Sequence, residues 1–169
     1  LDVKKAFWQV HHDKDSSKLT TLIKPFGRFR WSRLPFGLNV SSEIFARKLS
    51  EALNGLDGVF TIADDIIVVG YGATDQIAKC DNEKKQAKLY KRCEDQNVIL
   101  NDDMKGVGKE IIFHGHRISD KGVLPDETKI KAILQMDSSK DVSSEVKRFC
   151  GQLQYMARFL PDLAHVRTN

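Results

Sequence analysis

Apolar residues recur along the chain with two periods, and the places where the period changes divide it into elements. Residues 41–54, SSEIFARKLSEALN, set Ile44, Phe45, Leu49, Ala52 and Leu53 at helical spacing. Ser41 or Ser42 is placed to cap that helix and Gly55 to end it. Residues 1–10 read as a strand running into a short helix. Residues 19–35 alternate loosely around Pro25-Phe26-Gly27, the pattern of a β-hairpin. Residues 59–69, VFTIADDIIVV, read as two short buried strands interrupted by two acids. A charged, mostly exposed helix is predicted over 77–96, a strand over 98–101 and a strand pair over 111–119. Asp126 then caps a short helix carrying Ile130, Ile133 and Leu134. A last helix over about 143–160 lines up Val146, Phe149, Cys150, Leu153, Ala157 and Leu160 and stops at Pro161. A β-rich centre followed by helices is an α+β arrangement.

Composition adds bounds. The chain has 169 residues, 41% hydrophobic and 30% charged, the balance of a globular domain able to bury a core. No apolar run approaches the roughly 20 residues of a membrane span. Cys80, Cys93 and Cys150 match neither a zinc spacing nor a disulfide framework, which suits a reducing, intracellular compartment. Leu1-Asp2-Val3 has the look of a strand interior with no initiator Met, so an excised piece of a longer polypeptide is expected. The net charge of +4 is unevenly spread: residues 1–50 hold ten Lys/Arg against four Asp/Glu. A basic N-terminal third suits a polyphosphate or nucleic-acid partner, and equally a solvated basic surface.

The informative chemistry is Asp64-Asp65, set between Val59, Phe60 and Ile62 on one side and Ile66, Ile67, Val68 and Val69 on the other. Neighbouring strand residues face opposite ways, so adjacent acids act together only where the backbone turns. Two carboxylates at a hairpin tip repel unless a cation lies between them. Mg²⁺ takes oxygen ligands, commonly one or two carboxylates together with phosphate oxygens. Asp2 is a candidate third carboxylate for a two-metal site, which would stabilise both the attacking and leaving oxygens of an in-line displacement. Most Asp-Asp pairs are solvated turn residues; the apolar flanks argue against that here.

The segments LDVKKAFWQV, SSKLTTLIKPFGRFRWSRLPFGLNVSSEIF, TIADDIIVVG, FHGHRIS and KRFCGQLQYMARFLP occur in this order. Together they resemble the reverse transcriptase of gypsy-type long-terminal-repeat retrotransposons, a part of the Pol polyprotein. The resemblance implies a right-hand polymerase: palm in residues 1–9 and 39–119 with an antiparallel sheet and helices, part of the fingers in 10–38, and the start of a helical thumb in 120–169. It implies RNA-directed DNA synthesis in an intracellular particle or the nucleus, adding deoxynucleotides to a primer 3′-hydroxyl on an RNA or DNA template. Asp2, Asp64 and Asp65 match the catalytic, metal-binding acids, with two Mg²⁺ ions (or Mn²⁺) as cofactors. Val3, Ala6, Phe7, Phe36 and Gly37 match nucleotide-binding positions, and Phe7 the steric gate against a 2′-hydroxyl. Phe113, His114, Gly115 and His116 resemble the primer grip. A ribonuclease H domain is expected in the parent polyprotein. The chain departs from the pattern at Ile62-Ala63, where an aromatic residue is common, and at Asn82, Met104, His114 and Ser138-Ser139.

Blander roles compete for several residues. His114 and His116 read as strand side chains rather than metal ligands, and His11 and His12 as solvated. Trp8, Phe29, Trp31 and Phe36 can stack on bases, but core packing is the expectation for Trp8 and Phe29. Gly70 and Gly72 lack the spacing of a phosphate loop. Beside an active polymerase core stand a catalytically inactive nucleic-acid-binding remnant and a two-metal phosphohydrolase.

Overall fold

A computed structural model describes residues 1–101, 106–136 and 142–160. Met104, Ser138-Ser139 and Pro161 lie outside the described residues. The chain divides into two compact units, Leu1–Lys105 and Gly106–Asn169. The elements combine antiparallel strands with helices, as the α+β reading requires. Among the described residues no helix is long and apolar enough to cross a membrane.

In the first unit, Asp2 and Val3 form single bridges rather than a full strand. A 3-10 helix over Ala6–Gln9 follows, entered through Lys5 in the left-handed region. Helix α1, Lys14–Leu19, was not foreseen; its signal is Asp13, whose carboxylate accepts from the amides of Asp15 and Ser16. Strands β1, Leu22–Lys24, and β2, Gly27–Phe29, make the expected hairpin, with Leu22 opposite Phe29 and Lys24 opposite Gly27. Helix α2 spans Ser41–Leu53, β3 Val59–Ile62, β4 Asp65–Val68 and α3 Asp75–Asp95. The expected strand at 98–101 is reduced to one bridge, Leu100 to Val3.

The helices meet the sheet through residues four apart. Ser41, Phe45, Leu49 and Leu53 form the buried stripe of α2, and Lys85, Leu89 and Cys93 that of α3. These close over Val3, Ala6, Leu34 and Ile66 to make one core. A fully buried aliphatic or aromatic side chain contributes about 1.5–3 kcal/mol, so this stripe dominates the stability of the unit. Burial also pushes the Cys93 thiol above its ordinary value. Gly70 sits where β4 runs out against α3; a Cβ there would lie 2.1 Å from the Ala78 carbonyl oxygen. The glycine allows a close backbone approach, which is its role in place of a phosphate loop.

Capping differs from expectation at α2. Val40 occupies the cap position, and no side chain caps the helix. The buried Ser41 hydroxyl donates instead to the Pro35 carbonyl at 2.7 Å, tying the preceding loop to the helix. Val40 holds nearly helical backbone angles, so Ser41 already lies inside the helix.

The second unit has a three-stranded antiparallel sheet in the order β5-β6-β7, from Ile111–Phe113, His116–Ser119 and Gly122–Pro125. The third strand was not anticipated. Asp126 caps α4, Glu127–Leu134, by accepting from the Thr128 amide. Helix α5, Val142–Tyr155, is shorter than the predicted 143–160, and Ala157–Phe159 tightens into a 3-10 turn.

Candidate functional site

The acids converge through the backbone. The Leu1 amino group donates to the Ile66 carbonyl at 2.9 Å, the Ile66 amide donates back to the Leu1 carbonyl at 2.8 Å, and the Val3 amide donates to the Asp64 carbonyl at 3.0 Å. Asp2 and Asp65, bridged between these bonded pairs, therefore form a non-hydrogen-bonded antiparallel pair. In such a pair the side chains lie on the same face and approach most closely. On the other side of this short segment, the Asn101 amide donates to Asp2's carbonyl and Lys4's amide to Ile99's. Asp2 is thus held between two neighbours and cannot swing away without breaking both.

Asp64 belongs to the turn itself. Ile62 pairs with Asp65, leaving Ala63 and Asp64 as a two-residue loop. Ala63 has φ of 54° and Asp64 is not left-handed, the sequence of a type II′ turn with alanine where glycine is usual. Such a φ costs a residue with a Cβ on the order of 1–3 kcal/mol, and neighbouring structure must hold it. Asp2 and Asp65 are half-buried, Asp64 exposed. Like charges directly opposite on a sheet face destabilise it, and a cation between them would lessen that repulsion. All donors are hard oxygens, the set suited to Mg²⁺ with phosphate oxygens completing the shell. Among the described residues no group of three or more His, Cys, Asp and Glu is gathered so as to hold a metal unaided.

The other predicted residues of this unit fall in the core, on the Ala6–Gln9 turn and in the loop before α2. Val3 and Ala6 are buried in the core, so what they offer outward is backbone. Phe7 is half-buried, its ring 5.0 Å from Phe36 and 5.9 Å from Phe45. Phe36 is largely exposed and also meets the Trp8 edge at 6.0 Å. Gly37 follows with φ of 87°. The loop Leu34–Gly37 is thus pinned by buried Leu34, by Ser41 on Pro35 and by the Phe7–Phe36 contact. Trp8 and Phe29 do not pack in the core as expected; both are exposed, Trp8 on the Ala6–Gln9 turn and Phe29 on the short β1–β2 hairpin.

Phe113, His114, Gly115 and His116 lie in the second unit and form the two-residue hairpin joining β5 to β6. His114 and Gly115 both have positive φ, 46° and 69°, as a type I′ turn demands. His114 is therefore a turn residue rather than a strand residue. Its carbonyl accepts from the Tyr155 hydroxyl. Gly115 is favoured by its φ of 69°, and the Lys129 side chain packed against its Cα would have to shift to admit a Cβ. His116 stacks flat on Tyr155 at 5.1 Å.

Sequence reasoning missed Lys85. It is buried, with its ammonium 2.8 Å from Asp81, 3.1 Å from Asp57 and 4.3 Å over the Tyr71 ring. It also donates to the Val69 carbonyl, clasping the open end of the β3–β4 hairpin to α3. The Asp81 hydrogen bond raises its pKa, and Lys85 in turn lowers that of Asp81. A lysine four residues before Leu89 and eight before Cys93, at the head of that buried helix stripe, was the available signal.

Comparison with known proteins agrees with this geometry. The profile of the family "Reverse transcriptase (RNA-dependent DNA polymerase)" matches residues 1–116. The chain is 29% identical over 167 residues to the retrovirus-related Pol polyprotein from transposon 412 of Drosophila melanogaster, covering 97% of this chain and 13% of that protein. It is 34% identical over 170 residues to the enzymatic polyprotein of figwort mosaic virus (strain DxS), covering 99% and 24%. Thus it spans a quarter or less of those relatives' length. Two solved structures share its fold. The foamy viral protease-reverse transcriptase with double-stranded DNA gives a TM-score of 0.78 at 22% identity, over 98% of this chain and 28% of that one. The same viral protein with an RNA/DNA hybrid gives 0.73 at 22% identity, over 92% and 20%. The chain belongs to the reverse transcriptase family.

Proposed function

We propose that this chain is the catalytic-core portion of an RNA-directed DNA polymerase within the Pol polyprotein of a gypsy-type retrotransposon. The observation that carries the reading is the pairing of Asp2 with Asp65 beside a tip bearing Asp64. Residues far apart in sequence present carboxylates at one place, and their mutual repulsion is relieved by divalent ions. Asp2, Asp64 and Asp65 would hold two Mg²⁺, which supply acidification of the primer 3′-hydroxyl and charge neutralisation on the departing pyrophosphate.

The chain's own residues do the positioning. The bridge at Asp2 and the turn at Ala63 fix where the carboxylates lie. Phe7, braced by Phe36 and Phe45, would act as the gate against a ribose 2′-hydroxyl. The backbone at Val3 and Ala6, and the Phe36-Gly37 loop, would bound the deoxynucleotide. The rigid Phe113–His116 turn suits contact with a primer end. In this reading residues 1–9 and 39–119 are palm, 10–38 fingers, and 120–169 the start of the thumb. Template–primer and deoxynucleoside triphosphates are the partners, and an intracellular particle or the nucleus the location.

Primer extension by the polyprotein that carries this chain, with Mg²⁺ or Mn²⁺, tests the reading. Deoxynucleotide addition is expected, and Asp64→Asn is expected to abolish it. Strand cleavage without synthesis, or extension by the Asn variant at the parental rate, would overturn it.

A further inference from the structure

Both halves of the acidic pairing are referred to one helix. At its middle, α3 grips the end of β4 through polar side chains. Asn82 donates to the Val68 carbonyl at 2.7 Å, Lys85 donates to the Val69 carbonyl at 3.3 Å, and Asp81 accepts from the Tyr71 amide at 2.9 Å. Past its C-terminal end, the chain returns to Asp2. The Val98 amide donates to the Cys93 carbonyl, Leu100 bridges Val3, and the Asn101 amide donates to the Asp2 carbonyl. The helix from Lys85 to Asp95 covers about 15 Å, at about 1.5 Å per residue. The strand from Val69 back to Asp65 covers nearly the same, about 13 Å at about 3.3 Å per residue. A slip of β4 along α3 at Lys85 would therefore carry Asp65 past Asp2.

An ammonium at that position needs a reason. The Lys85 side chain is 8% exposed and heads the stripe that Leu89 and Cys93 continue. An apolar side chain of like volume is often as stable in such a place as a buried ion pair, or more so. Apolar packing is non-directional, however, and opposes sliding only weakly. The ammonium has fixed partners: Asp81 at 2.8 Å on its own helix, Asp57 at 3.1 Å in the loop entering β3, and the Val69 carbonyl leaving β4. Gly58 closes the same point. Its carbonyl accepts from the Val69 amide at 2.8 Å, and a Cβ on it would meet Lys85 Nζ at 3.0 Å. We infer that Lys85 is a positioning residue for the acids: through Asp57 and Val69 it sets both strands of the acidic hairpin against α3, and so sets where Asp64 and Asp65 stand relative to Asp2. The inference rests on the reading of those acids as ligands of divalent ions.

The test uses the polyprotein that carries this chain, well below its melting transition. Lys85→Met keeps an apolar stem of similar length and leaves Asp57 and the partly exposed Asp81 to water. Without metal, hydrogen exchange over Thr61–Ile66 should quicken roughly ten- to hundredfold, the factor that a lost hydrogen bond to a charged group gives to local opening. The Phe45–Leu53 stretch of α2 should keep its parental rate. Mn²⁺ binding, followed by electron paramagnetic resonance, should weaken about tenfold, the low end for loss of a group that supports metal ligands. Asp57→Asn alters a side chain that is 84% exposed. It should fold as the parent does and shift both readouts the same way by a smaller factor. Equal quickening in α2 and at the hairpin tip would make Lys85 a general stabiliser and overturn the inference. So would parental Mn²⁺ affinity in both variants, which would leave the ligand reading standing. A parent that binds no Mn²⁺ would overturn the ligand reading and this inference with it.

Discussion

Removing one oxygen at Ser41 should loosen the Leu34–Gly37 loop. The Ser41 side chain is 1% exposed, and its hydroxyl donates to the buried Pro35 carbonyl at 2.7 Å. Ser41→Ala keeps every carbon, so the cavity left is too small to matter. What remains is a carbonyl oxygen cut off from water with no donor, a loss of about 1–3 kcal/mol. Each kcal/mol shifts the melting temperature of a domain of about 100 residues by roughly 4–8 °C. The variant should therefore melt some 8–16 °C lower for a mid-range loss, with an unchanged denaturant slope, since no further surface is exposed in the folded state. Thermal and urea unfolding of the purified chain measure this directly. With the proposed polymerase activity assayed in the parent polyprotein, KM for the deoxynucleotide should rise more than kcat falls, because Phe36-Gly37 would be placed less firmly. A melting temperature within about 2 °C of the parent would refute the reasoning, showing that Pro35 finds another donor or that the loop is held by Leu34 and Phe36 alone.

Further outcomes follow from other residues. Ala63→Gly should raise the melting temperature by a few degrees, since relief of left-handed strain of about 1–3 kcal/mol outweighs glycine's entropy cost of about 0.5–1; a lower value would show that the turn is not strained. Lys85→Met should flatten the pH dependence of stability at both ends. Lys85 lowers the Asp81 pKa, so that contribution is present above the unfolded carboxylate value and vanishes as pH falls through the lowered one. Asp81 raises the Lys85 pKa, so that contribution is present below the ordinary lysine value and vanishes as pH rises through the raised one. Unfolding midpoints across acid and alkaline pH report both limbs, and an unaltered profile would remove Lys85 from the account. Phe7→Ala should admit ribonucleotides in primer extension; unchanged sugar discrimination would dismiss the gate.

The elements that sequence makes legible are those whose signal is local and periodic. Helix α2 was expected at 41–54 and spans Ser41–Leu53, because its stripe repeats every four residues. The hairpin at Pro25-Phe26-Gly27 and the Asp126 cap were legible for a similar reason: turn and cap chemistry is written in adjacent residues. Features built from distant partners were not. Ser41 looks like a cap, and only its approach to Pro35 reveals it as an anchor. Lys85 looks like one more charge on a charged helix until Asp57 and Tyr71 close over it. The third strand, Gly122–Pro125, is short, begins on glycine and ends on proline, so neither alternation nor propensity marks it. The acids were picked out by their apolar flanks, whereas the register bringing Asp2 opposite Asp65 is a property of the fold alone.

That register, and the shared ions it implies, is best tested by Mn²⁺ binding followed by electron paramagnetic resonance, on the polyprotein with template–primer and a deoxynucleotide, for Asp2→Asn, Asp65→Asn and the double variant. Each single change should weaken Mn²⁺ binding substantially, and the double change should cost less than their sum, as expected for ligands of common ions. Parental Mn²⁺ affinity in Asp2→Asn alongside a large loss in Asp65→Asn would contradict a shared site.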